Sequence, residues 1–131
     1  MGMLSQSSRS YQKSNWYKDN PKWEKVRTQA LRRDNYMDKV LYRFGKFKQA
    51  EVVHHIFPRE TYPQYQYELW NLISVTRATH NQLHDRDSHE LSLKGIELLH
   101  RTCRKYHIEI PEELKEIRKK NFKKEKSWRY Y

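Results

Sequence analysis

Two histidines stand side by side in VVHHIFP, residues 52 to 58, and two more, His80 and His84, stand four apart in NLISVTRATHNQLH. Imidazole serves both as a metal ligand and as a proton carrier, because its unperturbed pKa of about 6.5 lies near neutral pH. The Val, Ile and Phe around the first pair favour a half-buried strand. Successive strand side chains point to opposite faces, so His54 and His55 imply two different tasks. On a helix, His80 and His84 would share one face, close enough to bind a common metal. If that helix packs across the strand, one of His54 and His55 supplies a third ligand and the other takes a proton from water. The spacing alone leaves open which does which. A zinc-protease site is excluded, since that motif needs Glu directly after its first histidine and this chain has Asn81 there. Each feature also has a bland reading: a chance helical pair, satisfied core histidines, or a turn-capping Asn71. Only the ensemble argues for chemistry. Arg59 and Arg77 flank these residues and are candidates for phosphate contact.

The elements that must hold this set follow from periodicity and caps. Asn20 and Pro21 predict a helix start, and Trp23, Val26, Ala30 and Leu31 recur at helical spacing over about 21 to 33. Residues 36 to 50 are ambiguous, with a turn at Gly45. Residues 51 to 56 read as a strand, 58 to 69 as a loop lined by Tyr62, Tyr65, Tyr67 and Trp70, and 72 to 75 as a second, antiparallel strand. A helical pattern spans about 76 to 85. Ser92 caps another helix whose apolar face includes Ile96, Leu99, Cys103 and Tyr106, which makes Cys103 a core residue. Pro111 opens a last helix, acidic at its start and basic toward its end. His89, His100 and His107 fall outside the pattern.

The chain has 131 residues, one cysteine and a net charge of +11. That length suits one domain with extensions, and a single cysteine excludes an internal disulfide or a cysteine-based zinc finger. No apolar run approaches the roughly 20 residues needed to cross a bilayer, so no membrane role is expected. Residues 1 to 14 form a polar lead-in with no secretory character, and an intracellular, cytoplasmic setting is expected. Charge is uneven. Residues 1 to 50 carry 12 Lys+Arg against 4 Asp+Glu, a net +8, and 101 to 131 carry 11 against 5, a net +6. Between them, 51 to 100 are net −3. Basic flanks with interleaved aromatics (WYKDNPKW, KSWRYY) suit phosphate contact and stacking, so a polyanionic partner is the leading expectation.

The set VVHHIFP, Asn71-Leu72, His80 and His84, together with W-x-x-V-R-x-x-A-L-R-R-D-N-Y from Trp23 to Tyr36, resembles the HNH endonucleases of the ββα-metal (His-Me finger) fold. The likeness covers residues 23 to 84. It implies an α+β protein with a ββα-metal core, an added N-terminal helix and C-terminal helices. The corresponding division is a flexible lead-in at 1–19, a nuclease domain at 20–110 and a basic C-terminal helix or tail at 111–131. The resemblance implies His55 as general base, Asn71 as the residue that orients it, and His54, His80 and His84 as metal ligands. It implies one divalent ion (Mg²⁺, Mn²⁺, Ni²⁺ or Zn²⁺), DNA as substrate, and products with 5′-phosphate and 3′-hydroxyl ends. Small stand-alone members resemble phage proteins that assist DNA packaging, which adds terminase proteins as candidate partners and the host cytoplasm as the setting.

Many small members of that family hold a structural zinc between two Cys-x-x-Cys pairs. The matching places here are Met37, Val40, Thr76 and Thr79, so no structural zinc is expected, and apolar packing by Met37 and Val40 is expected to replace it. Two other function classes remain in view. One is a catalytically inactive DNA-binding module of the same fold, distinguished by salt-dependent binding without cleavage. The other is a delivered nuclease toxin, which this length does not favour.

Overall fold

The computed structural model describes residues 15–115. The lead-in up to residue 14 and the basic tail beyond 115, with KSWRYY, lie outside the described residues. The order of elements is α1 (Pro21–Arg33), α2 (Lys39–Tyr42), β1 (Val52–His55), β2 (Leu72–Val75), α3 (Arg77–Gln82) and α4 (Leu93–Tyr106), with short 3₁₀ turns at Pro63–Tyr65 and Leu69–Asn71. The helix-start signals act as expected. Asn20 Oδ1 accepts from the Trp23 N–H at 3.1 Å with Pro21 in the first turn, and Ser92 caps α4. The ambiguous 36–50 stretch resolves into α2 and a turn in which Gly45 has φ +76°. The 58–69 loop is tighter than expected, since it contains a 3₁₀ turn and leads directly into a second.

β1 and β2 pair antiparallel with Val52 opposite Val75, Val53 opposite Ser74, His54 opposite Ile73 and His55 opposite Leu72. Alternation therefore divides the sheet. Val53 and Leu72 join Trp23, Val26, Ala30, Leu31 and Ala50 of the α1 side. Val52, Ile73 and Val75 meet Leu83 and the α4 residues Leu98, Leu99 and Cys103 on the other. His55 lies on the α1 face and His54 on the opposite one.

A four-residue hairpin is marginal alone and leaves β2 with a bare edge. Two buried carboxylates cover it. Asp34, the cap residue of α1, accepts from the Ser74 N–H at 3.0 Å, and Asp38 accepts from the Thr76 N–H at 2.7 Å. Asp38 also caps α2 by accepting from the Leu41 N–H at 2.8 Å. Burial opposes its charge, but hydrogen bonds from Thr76 and Leu41 outweigh this and hold its carboxyl below the usual range. Arg33 continues the clasp by donating to the carbonyls of Leu69 and Leu72. Thr76 and Thr79, at the second pair of knuckle positions, bond to one another at 3.0 Å and start α3. Val40 does pack on the second core, yet apolar packing is only part of what joins these segments. A polar clasp centred on Asp38 does the rest.

Asp38→Ala should leave the buried Thr76 N–H and the partly buried Leu41 N–H unpaired and cost about 2–4 kcal/mol in urea unfolding, with Asp38→Asn recovering part of the loss. A midpoint unchanged by the alanine would remove Asp38 from this role.

Candidate metal centre

His54 projects from β1 toward His80 of α3 and His84, which follows that helix's C-cap Leu83. One ring nitrogen from each of the three lies within 4.8 Å of the others. Ring centroids stand 5.3 Å apart for His54–His80, 5.1 Å for His54–His84 and 4.8 Å for His80–His84. Both ring nitrogens of His54 are buried and make no hydrogen bond within the protein. A neutral imidazole sealed in this way forfeits the hydrogen bonds it would make in water. Three imidazoles converging on one point form a donor set suited to a divalent cation, and the unbonded nitrogens of His54 supply the independent sign that one fits. His84 Nδ1 lies 3.2 Å from the His89 carbonyl. A carbonyl only accepts, so the proton sits on Nδ1 and the lone pair on Nε2.

α3 carries His80 but ends at Gln82, short of the expected residue 85, so His84 lies just past the Leu83 cap, and this six-residue helix and its exit are held from outside. Ser92 donates through N–H to the Leu83 carbonyl and through Oγ to that of Gln82, and His84 bridges to Leu91. Gly95 makes this approach feasible, because a Cβ there would run into the Leu83 carbonyl oxygen. Sequence reasoning missed both Gly95 and the His89 carbonyl, although a glycine in the first turn of a capped helix is a signal of close backbone approach.

His55, on the other face, is 7% exposed and stacks on Trp23 at 4.9 Å between ring centroids, with Trp16 edge-on at 5.8 Å. Its Nε2 lies 3.0 Å from the Gln66 carbonyl. The proton is therefore on Nε2, which leaves Nδ1 as the basic atom. Asn71 bonds the backbone and not the imidazole: Oδ1 accepts from Phe57 N–H, and Nδ2 donates to the carbonyls of Phe57 and Tyr65. It thus ties both ends of the loop leading to Gln66, and any hold on His55 passes through that carbonyl. Arg59 lies close enough for its charge to oppose protonation of His55. Its guanidinium sits 4.5 Å from the Trp16 ring centroid, and its Nε is buried without a hydrogen-bond partner. Arg77 is exposed and weakly paired with Glu51 at 4.0 Å.

The sequence matches no protein-family model. It also matches no curated protein. The structure is similar to the crystal structure of the HNH endonuclease of the deep-sea thermophilic bacteriophage GVE2, solved with a manganese ion. The TM-score is 0.51 at 28% identity, over 60% of this chain and 85% of that one. The fold is HNH-like. The two strands and the following helix form the α+β ββα arrangement, with α1 and α4 added on either side.

Burial, reinforced by neighbouring charges, lowers His54, His55 and His80. His55 and His80 fall to about 4, and His54 falls well below its ordinary value. An unfolded chain protonates these rings near pH 6.5, whereas the fold resists protonation until about pH 4. Unfolding therefore takes up protons between those values, and stability is lost as pH falls through that window. The melting temperature of metal-stripped protein should drop steadily from pH 7 to about pH 5; a rise on acidification would contradict the burial argument. Mn²⁺ titrated calorimetrically should bind once per chain at this cluster, and His54→Ala should weaken that binding by tenfold or more, by about the 1.4 kcal/mol or more expected for losing one ligand.

Proposed function

We propose that this chain is a metal-dependent HNH-type endonuclease that hydrolyses phosphodiester bonds in DNA. The observation that carries the reading is the His54, His80 and His84 cluster, with His55 held on the adjoining strand residue by the Gln66 carbonyl. Similarity to a phage endonuclease solved with manganese supports both the substrate class and a divalent ion. His54, His80 and His84 would hold the ion, and three imidazoles favour Mn²⁺, Ni²⁺ or Zn²⁺ over Mg²⁺ in affinity. When bound, such an ion supplies Lewis-acid stabilisation of the charge that develops on phosphoryl and leaving oxygens.

The remaining work falls to the chain's own residues. His55 is unprotonated at neutral pH, so Nδ1 can accept a proton from water for in-line attack on phosphorus, while Nε2 keeps its bond to Gln66. A ring at about 4 is a weak base. A bound phosphate would counter the charge of Arg59 and raise His55 toward the value that proton transfer needs. Arg59 is therefore assigned to the substrate phosphate near the base, and Arg77 to a phosphate at the mouth of α3. Asn71 keeps the Gln66 carbonyl in place. Cleavage leaves 5′-phosphate and 3′-hydroxyl ends. A phage-side role in DNA packaging, beside terminase proteins, is the setting that the sequence resemblance implies.

A second reading has its own observation. Trp16, Tyr17 and Trp23 surround His55, as they would in an inactive module where the ring is only packing. Paired variants separate the two. His55→Ala should retain metal affinity in calorimetry while supercoiled-plasmid nicking falls about 10²- to 10⁴-fold. His54→Ala should lose metal affinity, with activity partly restored by excess Mn²⁺. If neither change alters nicking, the site lies elsewhere; if wild-type protein binds DNA but never cuts it with any of the four metals, the inactive module is correct.

A further inference from the structure

Besides Arg33, five cations from distant parts of the chain line one cleft of about 650 Å³ beside β2. Lys39 and Arg43 come from α2 and its exit, and Arg101, Arg104 and Lys105 come from the C-terminal half of α4. Ile73 and Leu98 form apolar wall between them. None of the clustered histidines lines this cleft, nor does Arg59 or Arg77.

Two other lining residues are accounted for by the fold. Arg33 bonds to the Leu69 and Leu72 carbonyls and pairs with Asp34, and Asp34 also accepts from Ser74. Asp34 is the one acid among the lining residues, so it leaves no negative charge for the rest. Among the described residues, the side chains of Arg43, Arg101 and Arg104 form no ion pair or hydrogen bond. Lys39 and Lys105 rest over the adjacent rings of Tyr42 and Tyr106 at 4.4 and 5.3 Å. Burial and the charges of Arg43 and Arg104 lower the Arg101 guanidinium, against the opposing effect of Glu97. Cations in a last helical turn are favoured by its dipole, which explains Arg104 and Lys105. That effect does not reach Arg43 on another element, or Arg101 a turn further in.

Beside Arg43, the turn after α2 leaves Phe44 74% and Phe47 70% exposed, interleaved with Lys46 and Lys48. Exposed aromatics among cations suit contact with bases and sugars as well as phosphates, which a simple anion would not require. We infer that this cleft is a second nucleic-acid contact, separate from the metal centre. Arg43, Arg101 and Arg104 grip the phosphodiester backbone of bound DNA, and Phe44 and Phe47 lie against its sugars and bases. The choice of DNA as the polyanion rests on the function proposed above.

The test uses the full chain in chelator and a fluorescent duplex of roughly 30 base pairs, titrated from about 50 to 200 mM salt. Arg43→Gln/Arg101→Gln/Arg104→Gln should weaken binding about tenfold or more at about 100 mM salt and reduce the slope of log K against log salt by about 3. Because Arg101 is partly buried, the exposed pair Arg43→Gln/Arg104→Gln is measured beside it and should reduce the slope by about 2. Phe44→Ala/Phe47→Ala should weaken binding with the slope unchanged. Mn²⁺ stoichiometry and nicking at saturating DNA should match wild type in all three. An unchanged slope in both charge variants would overturn the inference. So would DNA affinity that survives while binding to poly-glutamate is lost, since the occupant would then be an acidic protein. Salt-steep DNA binding that the variants lose, in a protein that never cleaves, would leave the cleft standing and defeat the nuclease reading.

Discussion

An imidazole buried with both ring nitrogens unbonded is an uncommon thing for a fold to contain, and much of this molecule is arranged around one. His54 has lost its hydrogen bonds to water and gained none from protein, which costs on the order of 1–3 kcal/mol per unsatisfied group. The hairpin fixes its position, α3 and the residues just past it bring His80 and His84 to within ligand distance, and α4 holds α3 there through Ser92 and the space left at Gly95. A cation shared by the three rings would offset the cost. Without one, burial of neutral histidines makes the fold acid-sensitive. The same residues thus connect stability to proposed function.

The sheet itself is short of internal support. Eight strand residues in two strands depend on side chains for the outer edge of β2, and those are charged ones: Asp34, Asp38 and Arg33. Asp38 is the link between the segment around α2 and the start of α3, the two places that a zinc knuckle would otherwise join. A carboxylate receiving backbone N–H groups can do this because each bond is charge-assisted and directional. It does not require thiolates or a metal, but it cannot be recognised from apolar periodicity.

The two faces of β1 explain why adjacent histidines differ in surroundings. His54 faces other imidazoles, whereas His55 faces Trp23 and Trp16 and is oriented by a backbone carbonyl. Aromatic walls exclude water and keep the ring neutral, and Arg59 on Trp16 places a positive charge within reach of it. A polyanion could thus be held at the centre by Arg59 and along β2 by the separate basic cleft.

Much of this was legible in the sequence. Caps at Asn20 and Ser92, the period-two alternation of VVHHIFP and the four-residue spacing of His80 and His84 are local signals, set by backbone geometry within a few residues, and they located α1, α4, both strands and the histidine set. The alternation also required His54 and His55 to face apart. Contacts between remote residues were not legible, because no local pattern encodes them. Nothing local marked the partners of Asp34 and Asp38, which are N–H groups at Ser74 and Thr76, some 40 residues away. Asn71 could be placed beside His55 in a scheme, but only the folded loop shows that it bonds Phe57 and Tyr65 while Gln66 meets the imidazole. The basic flanks were visible as charge. That Arg43 and Arg101 share one cleft followed only from packing α2 and α4 against the same strand, which sequence separation conceals.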